Sequence, residues 1–447
     1  MGTKFKRILV KIGIVLMIIV TICLVTRTIF NYTTGKKLEK TIEKMKAADK
    51  IMKFAEFEPD CRDDDNAALP WKGVEAILQV KPEQRAILSK ALKDIFYNEL
   101  MSEDTRKKIE IMVEKNQRAM LLIQDTGQKP CFKYNEDWNK YGLEMLGPRA
   151  IKAIQAFRLY GLDAVIKAGK GRLTEALEQS RIGMQFSRKY LDEPLLINTL
   201  VAFAQMRAQI LFLNKIADGK EIATETLLDI LIELNTEFWR KGLVRSFEVE
   251  KILSLETRTR WLRGEYNITG VDVSFWDKIY YWIFRPVLKS DIVCSLDQFS
   301  EMEKVAELPY NQTYETRERL IKKQEDIPWL YKWSDFLVPY LETVMFKEAR
   351  LEADLNAARI GIGCKIYQNR EGRFPEKISD LVPDILPEEP LDPFTGKPYI
   401  YRLQDDGFIV YSLGSNQKDD NGRGTLEITS IVMEKDDDIA WRETRQK

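Results

Sequence analysis

The chain contains no histidine in its 447 residues. That removes Ser-His-Asp and Cys-His catalysis, histidine-ligated zinc or haem, and imidazole pH switching. Chemistry must come from carboxylates, lysine, tyrosine, serine or cysteine. The carboxylates with the most suggestive spacing are Glu248 with Glu250, and Glu256 beside Arg258 and Arg260. Two carboxyl groups can act as acid and base in glycan hydrolysis without an imidazole. These residues share one helical stretch, however, where charged faces are usually solvated. Asp63, Asp64 and Asp65 can hold a cation or form a solvated acidic loop. Cys23 falls in an apolar run, whereas Cys61, Cys131, Cys294 and Cys364 are spread through the body with no CxxC spacing. In an oxidising compartment those four allow about three pairings into two disulfides, and elsewhere they read as buried, inert thiols. A redox role for Cys61 or Cys364 needs an exposed thiol of low pKa and has no motif behind it.

Lys plus Arg and Asp plus Glu both number 69, so no global field steers the chain toward nucleic acid, and no nucleic-acid partner is expected. A hydrophobic content of 45% supports ordinary buried cores. The strongest signal lies at the start. Lys4, Lys6 and Arg7 precede Ile8 to Thr26, an apolar run broken only by Lys11 and close to the ~20 residues that a bilayer requires. Lys11 lies near the charged end, so its stem can carry the ammonium to the interface. A cleavable signal peptide is the rival reading, with Ile12 to Val25 as its apolar core. No small-x-small site follows in Val25 to Phe30, which favours an uncleaved anchor. Basic residues also follow the span at Arg27, Lys36, Lys37 and Lys40, so charge alone leaves the orientation open. A short N-terminus is the usual arrangement of a signal-anchor with an exported bulk. The expectation is a single-pass protein of a bacterial inner membrane with a periplasmic body.

Helices must position the remaining residues. The fold class expected is mainly α: an irregular array of α-hairpins, TPR-like, followed by a small C-terminal α+β module. The divisions expected are a transmembrane anchor (1–37), a helical stalk and N-terminal helical region (38–146), an α-helical array (147–338), the α+β module (339–430) and a charged tail (431–447). Leu38, Ile42, Met45, Ile51, Met52 and Phe54 recur at helical spacing, as a stalk leaving the membrane would. Residues 58–70 read as a loop. Pro148 opens a helix with Ile151, Ile154, Phe157, Leu162 and Val165 on its apolar face, Gly169 to Gly171 breaks it, and Leu173 to Tyr190 returns antiparallel. Asp192, Glu193 and Pro194 open a third helix. Phe275 to Phe284 is the densest aromatic patch, ended by Pro286 and too short to span a bilayer. Core packing is its expected role, with an interfacial membrane contact or a partner groove as alternatives.

After Pro339 a long helix runs to about Asn369. Gly372-Arg373-Phe374-Pro375, Leu391-Asp392-Pro393-Phe394, Gly396-Lys397-Pro398-Tyr399, Tyr411-Ser412-Leu413-Gly414-Ser415-Asn416 and Asp419-Asp420 follow in that order, with a hairpin between Tyr399 and Leu413. This run resembles the C-terminal part of type II secretion major pseudopilins, over about residues 341–424. The resemblance implies calcium on the loop after Tyr-Ser-Leu-Gly, held by the Leu413 carbonyl, Asn416, Asp419 and Asp420, oxygen donors suited to a hard cation. Unlike a pseudopilin, this chain separates its apolar segment from the module by nearly the whole body, and Met1 to Val10 lacks the peptidase-cleaved leader pattern. The arrangement is also similar to large membrane-anchored bacterial proteins that carry such modules. The function expected is a non-enzymatic envelope protein, an interaction or assembly scaffold with protein partners, connected by analogy with secretion or pilus-like machinery. A carboxylate-dependent glycan hydrolase is the alternative.

Overall fold

The computed structural model describes residues 2–48, 53–134, 137–138, 149–265, 274–326, 331, 341–404, 407–424 and 438–444. The expected helix start at Pro148, the residue Pro339 and the hairpin turn at Asp405 lie outside these.

The apolar run and the stalk form one unbroken helix, α1 (Gly2–Ala48), so no boundary falls at 37/38. The periodicity of Leu38, Ile42 and Met45 simply continues that of the span in the same helix. The most apolar window of α1 is 0% buried, as expected of a helix long and apolar enough to cross a bilayer. Further along, Leu38 and Met45 are buried.

The body follows as α2 (Ala68–Ile77), α3 (Pro82–Phe96), α4 (Glu103–Lys115), α5 (Gln117–Gln128), α6 (Arg149–Gly169), α7 (Leu173–Lys189) and α8 (Leu196–Ala217). Cys61 and Cys131 form a disulfide that ties the segment before α2 to the one after α5, while Cys23, Cys294 and Cys364 are free. The α6–α7 hairpin turns at Gly171, whose φ of 79° lets Gly171 N–H and Arg172 N–H bond the Ala168 and Lys167 carbonyls. The helix α8 packs on both arms. By composition α8 is also apolar enough to span a bilayer, but 61% of its apolar window is buried, which makes it a core helix.

Next come α9 (Thr224–Glu233), α10 (Glu237–Arg263), α11 (Phe275–Ala306) and α12 (Tyr314–Glu325). Two sequence expectations fail here. Pro286 does not end a helix; it lies inside α11. The aromatic patch at the start of α11 is not core: Phe275 is 69% exposed and Trp276 76%. Only the second half of α11 is buried, where Ile292, Val293 and Leu296 meet Leu38 and Met45 of α1 and Val249, Ile252 and Leu255 of α10.

The C-terminal part is a helix, α13 (Leu341–Glu371), packed on a three-stranded antiparallel sheet of β1 (Ile400–Gln404), β2 (Gly407–Ser412) and β3 (Ile439–Thr444), in the order β1-β2-β3. Residues 439–444 were expected in a charged tail. Instead Ile439 and Trp441, on the same face of the strand, pack against the core, and β3 pairs with β2. Trp441 lies so close to α13 that a Cβ at Gly361 would meet its ring at 2.3 Å. The module does not stand apart from the array. A single apolar core runs from Ala67 through α8 and α13 to Trp441. Polar contacts reinforce it: Lys365 Nζ meets Glu443 Oε1 at 2.6 Å, both side chains 4% exposed, and also donates to the Ala217 carbonyl. Thr444 N–H donates to Asp218, and Asn214 to the Arg442 carbonyl.

Candidate functional site

Where β3 docks on the array, a cavity of about 540 Å³ remains between α3, α6, α8, α13 and β3. Leu92, Phe157 and Trp441 are among the apolar residues that line it. Its polar lining is unbalanced: six Arg and Lys side chains, among them Arg158, Arg207 and Lys215, stand against Asp218, Asp354 and Asp438. Arg207 Nε is paired with Asp354 at 2.6 Å, and burial alone pulls the Arg158 guanidinium below its ordinary pKa. Gln205 is the informative residue. It is 3% exposed, and neither its amide oxygen nor its amide nitrogen has a hydrogen-bond partner among the described residues. A buried amide left unsatisfied costs about 1 to 3 kcal/mol, which a polar ligand would recover. The cleft therefore offers an anionic group both positive charge and a buried amide, within a partly apolar lining. Sequence reading missed it because its members come from five separate elements, and Gln205 and Arg207 are only two of several polar residues along α8.

The residues singled out for calcium are arranged differently. Asn416 Nδ2 does lie 3.0 Å from Asp420 Oδ2. Asp419, however, accepts Tyr411 Oη and Asn421 N–H on one oxygen and the Arg402 guanidinium, 2.6 Å away, on the other. These bonds hold its carboxyl below the usual range. The Asn416 side-chain oxygen Oδ1 accepts Lys418 N–H. Asp419 is thus engaged by the Arg402 guanidinium in this arrangement. Among the described residues no group of three or more acidic or thiol side chains is placed to hold a metal, Asp63 to Asp65 included. Asp65 instead pairs with Arg62. The motifs around the loop serve the fold. Asp392, 1% exposed, accepts Ser412 Oγ, Phe394 N–H and Leu413 N–H, so the Leu-Asp-Pro-Phe and Tyr-Ser-Leu-Gly runs interlock through one carboxylate.

The carboxylates considered for acid–base work are also occupied. Glu250 accepts Leu196 N–H at the start of α8, and Glu256 accepts Phe54 N–H. Arg258 is 1% exposed, bonded to Ser295 Oγ at 2.6 Å with Asp291 at 3.6 Å, and Arg260 pairs with Glu265. The charged face of α10 is thus partly internal rather than solvated, because α11 packs along it and brings its own partners, including Glu303 for Lys251. Of the thiols considered for redox work, Cys61 is bonded and burial pushes the Cys364 thiol far up.

Burial raises the half-buried Glu250 carboxyl to about 7, outweighing the Leu196 N–H that favours its charged form. A carboxyl raised in the folded state holds a proton that the unfolded chain has released. Its stabilising contribution is complete below about pH 4.5 and is lost as pH rises to about 7. We expect urea denaturation of the native protein to show about 2 to 3 kcal/mol lost over that window that Glu250→Gln does not lose. Parallel pH profiles for the two proteins would remove the assignment.

No protein-family model matches the chain, and no curated protein or solved structure matches it either.

Proposed function

We propose that this chain is a non-enzymatic, membrane-tethered protein of the bacterial envelope that holds a protein partner at the membrane surface, an acidic segment of that partner entering the cleft. The observation that carries this reading is the continuity of α1: the same helix whose apolar window is 0% buried ends with Leu38 and Met45 buried in the body. The anchor is thereby built into the fold. The Cys61–Cys131 disulfide favours a periplasmic body, since such bonds persist in oxidising compartments. The engagement of Glu250 and Glu256 by separate backbone N–H groups favours binding over hydrolysis. A TPR-like use of the α6–α7–α8 layer and a link to secretion or pilus-like machinery agree with this reading, the latter by fold-level analogy with pseudopilins.

The test is crosslinking in intact membranes followed by recovery of the full chain, wild type beside Arg158→Glu, with the melting profile of the variant checked. Envelope proteins should be captured by the wild type, and about tenfold less by the variant, because a reversed charge in the cleft repels an acidic segment. Recovery of only soluble cytoplasmic enzymes would sink the proposal, and an unchanged capture pattern in the variant would sink the role of the cleft.

A further inference from the structure

The exposed aromatic start of α11 lies beside the membrane end of α1, and three observations define its setting. The first is register. Trp282 of α11 sits on Arg27 of α1, Lys289 Nζ donates to the Asn31 carbonyl at 3.2 Å, and Ile292 to Leu296 meet Leu38 and Met45. Both helices thus advance together in the same direction. Arg27 ends the apolar run, so Trp282 lies at the level where the span meets water. Phe275 lies seven residues before Trp282, about 10 Å back along the helix axis toward the last turns of the span.

The second observation is what presents itself at that level. Phe275, Trp276, Tyr280, Trp282 and Ile283 are 69%, 76%, 40%, 49% and 46% exposed. Trp276, Tyr280 and Ile283 share one side of the helix by their spacing. An apolar patch of this kind marks a protein or membrane contact. Its composition is that of an interfacial belt, in which tryptophan and tyrosine sit at headgroup level, and interfacial helices bury their apolar side by about 5 to 10 Å. Arg285, exposed three residues after Trp282, adds a cation suited to lipid phosphates.

The third is how the helix is held there. Pro286 has no N–H to give the Trp282 carbonyl four residues earlier, which would leave that carbonyl unpaired. The Arg27 guanidinium donates to this carbonyl and covers the Trp282 ring, its carbon 3.6 Å from the ring centre. The proline that looked like a helix end is a docking point for the anchor.

From these we infer that the first half of α11 is a second membrane contact, seated in the boundary between headgroups and acyl chains of the same leaflet from which α1 emerges. This rests on the reading of α1 as a membrane anchor. The occupant is lipid rather than protein because the patch is level with the span's exit and continuous with it.

The test uses the full chain reconstituted in phosphatidylethanolamine and phosphatidylglycerol vesicles whose acyl chains are brominated close to the headgroup. The chain has nine tryptophans, and bromine quenches those within contact distance. Quenching should fall about twofold in Trp276→Phe/Trp282→Phe, a conservative pair at exposed positions that leaves the core untouched. Equal quenching in wild type and variant, both floating with the vesicles, overturns the second contact while leaving the anchor intact. Failure of both proteins to float with the vesicles overturns the anchor and this inference with it.

Discussion

Lys365→Met is expected to cost about 3 to 5 kcal/mol of stability, because it strands the Glu443 carboxylate in an interior where only 4% of its side chain meets water. Burial already pushes the Glu443 carboxyl up, and Lys365 is the charge that restrains it. The same ammonium also satisfies the Ala217 carbonyl, so one substitution unfastens α13, β3 and the end of α8 together. Lys365→Met/Glu443→Leu should recover part of the loss, since an apolar pair replaces the ion pair, but Gly219 N–H then loses its acceptor. Urea midpoints in detergent measure both steps. A single-variant loss under about 1 kcal/mol would mean that the bridge is solvated and that the strand is not fastened through it.

Removing the Cys61–Cys131 disulfide should have a comparable effect. It closes a span of 70 residues, and the loss of loop-closure entropy from the unfolded chain predicts about 4 kcal/mol. Cys61→Ser/Cys131→Ser should therefore lower the thermal midpoint as much as full reduction of the wild type does. Thiol titration supplies the independent check. Protein isolated without reductant and unfolded in denaturant should show three free thiols, Cys23, Cys294 and Cys364. Five free thiols would place the protein in a reducing compartment and withdraw the main support for a periplasmic body.

Much of this architecture is legible in the residues because it rests on periodic burial. The span, the α6–α7 hairpin, the long α13 and the β1–β2 hairpin each follow from repeating apolar spacing or, at Gly171, from a residue free to adopt positive φ. What escaped reading was settled by neighbours distant in the chain. Pro286 signals a helix end only if its orphaned carbonyl has no other donor, and Arg27, 255 residues before Trp282, supplies one. Charge on α10 predicts a wet face only if nothing packs there, yet α11 carries the counter-charges for Arg258 and Lys251. Residues 439–444 look like part of a polar tail until β2 offers a free edge. The disulfide pairing was open for the same reason, since four cysteines without local spacing leave the choice to the fold. The cleft was the least legible feature, because Gln205 is conspicuous only once its amide is seen to be buried without a partner.

The absence of any joint within α1 has a mechanical outcome. From Arg27 to Ala48 the helix rises about 30 Å, and its far end is locked to α11. When a span tilts to match a thinner bilayer, the attached lever turns with it instead of flexing. Bilayer thickness would then set the direction in which the body leans, and with it which way the cleft between α8 and β3 faces.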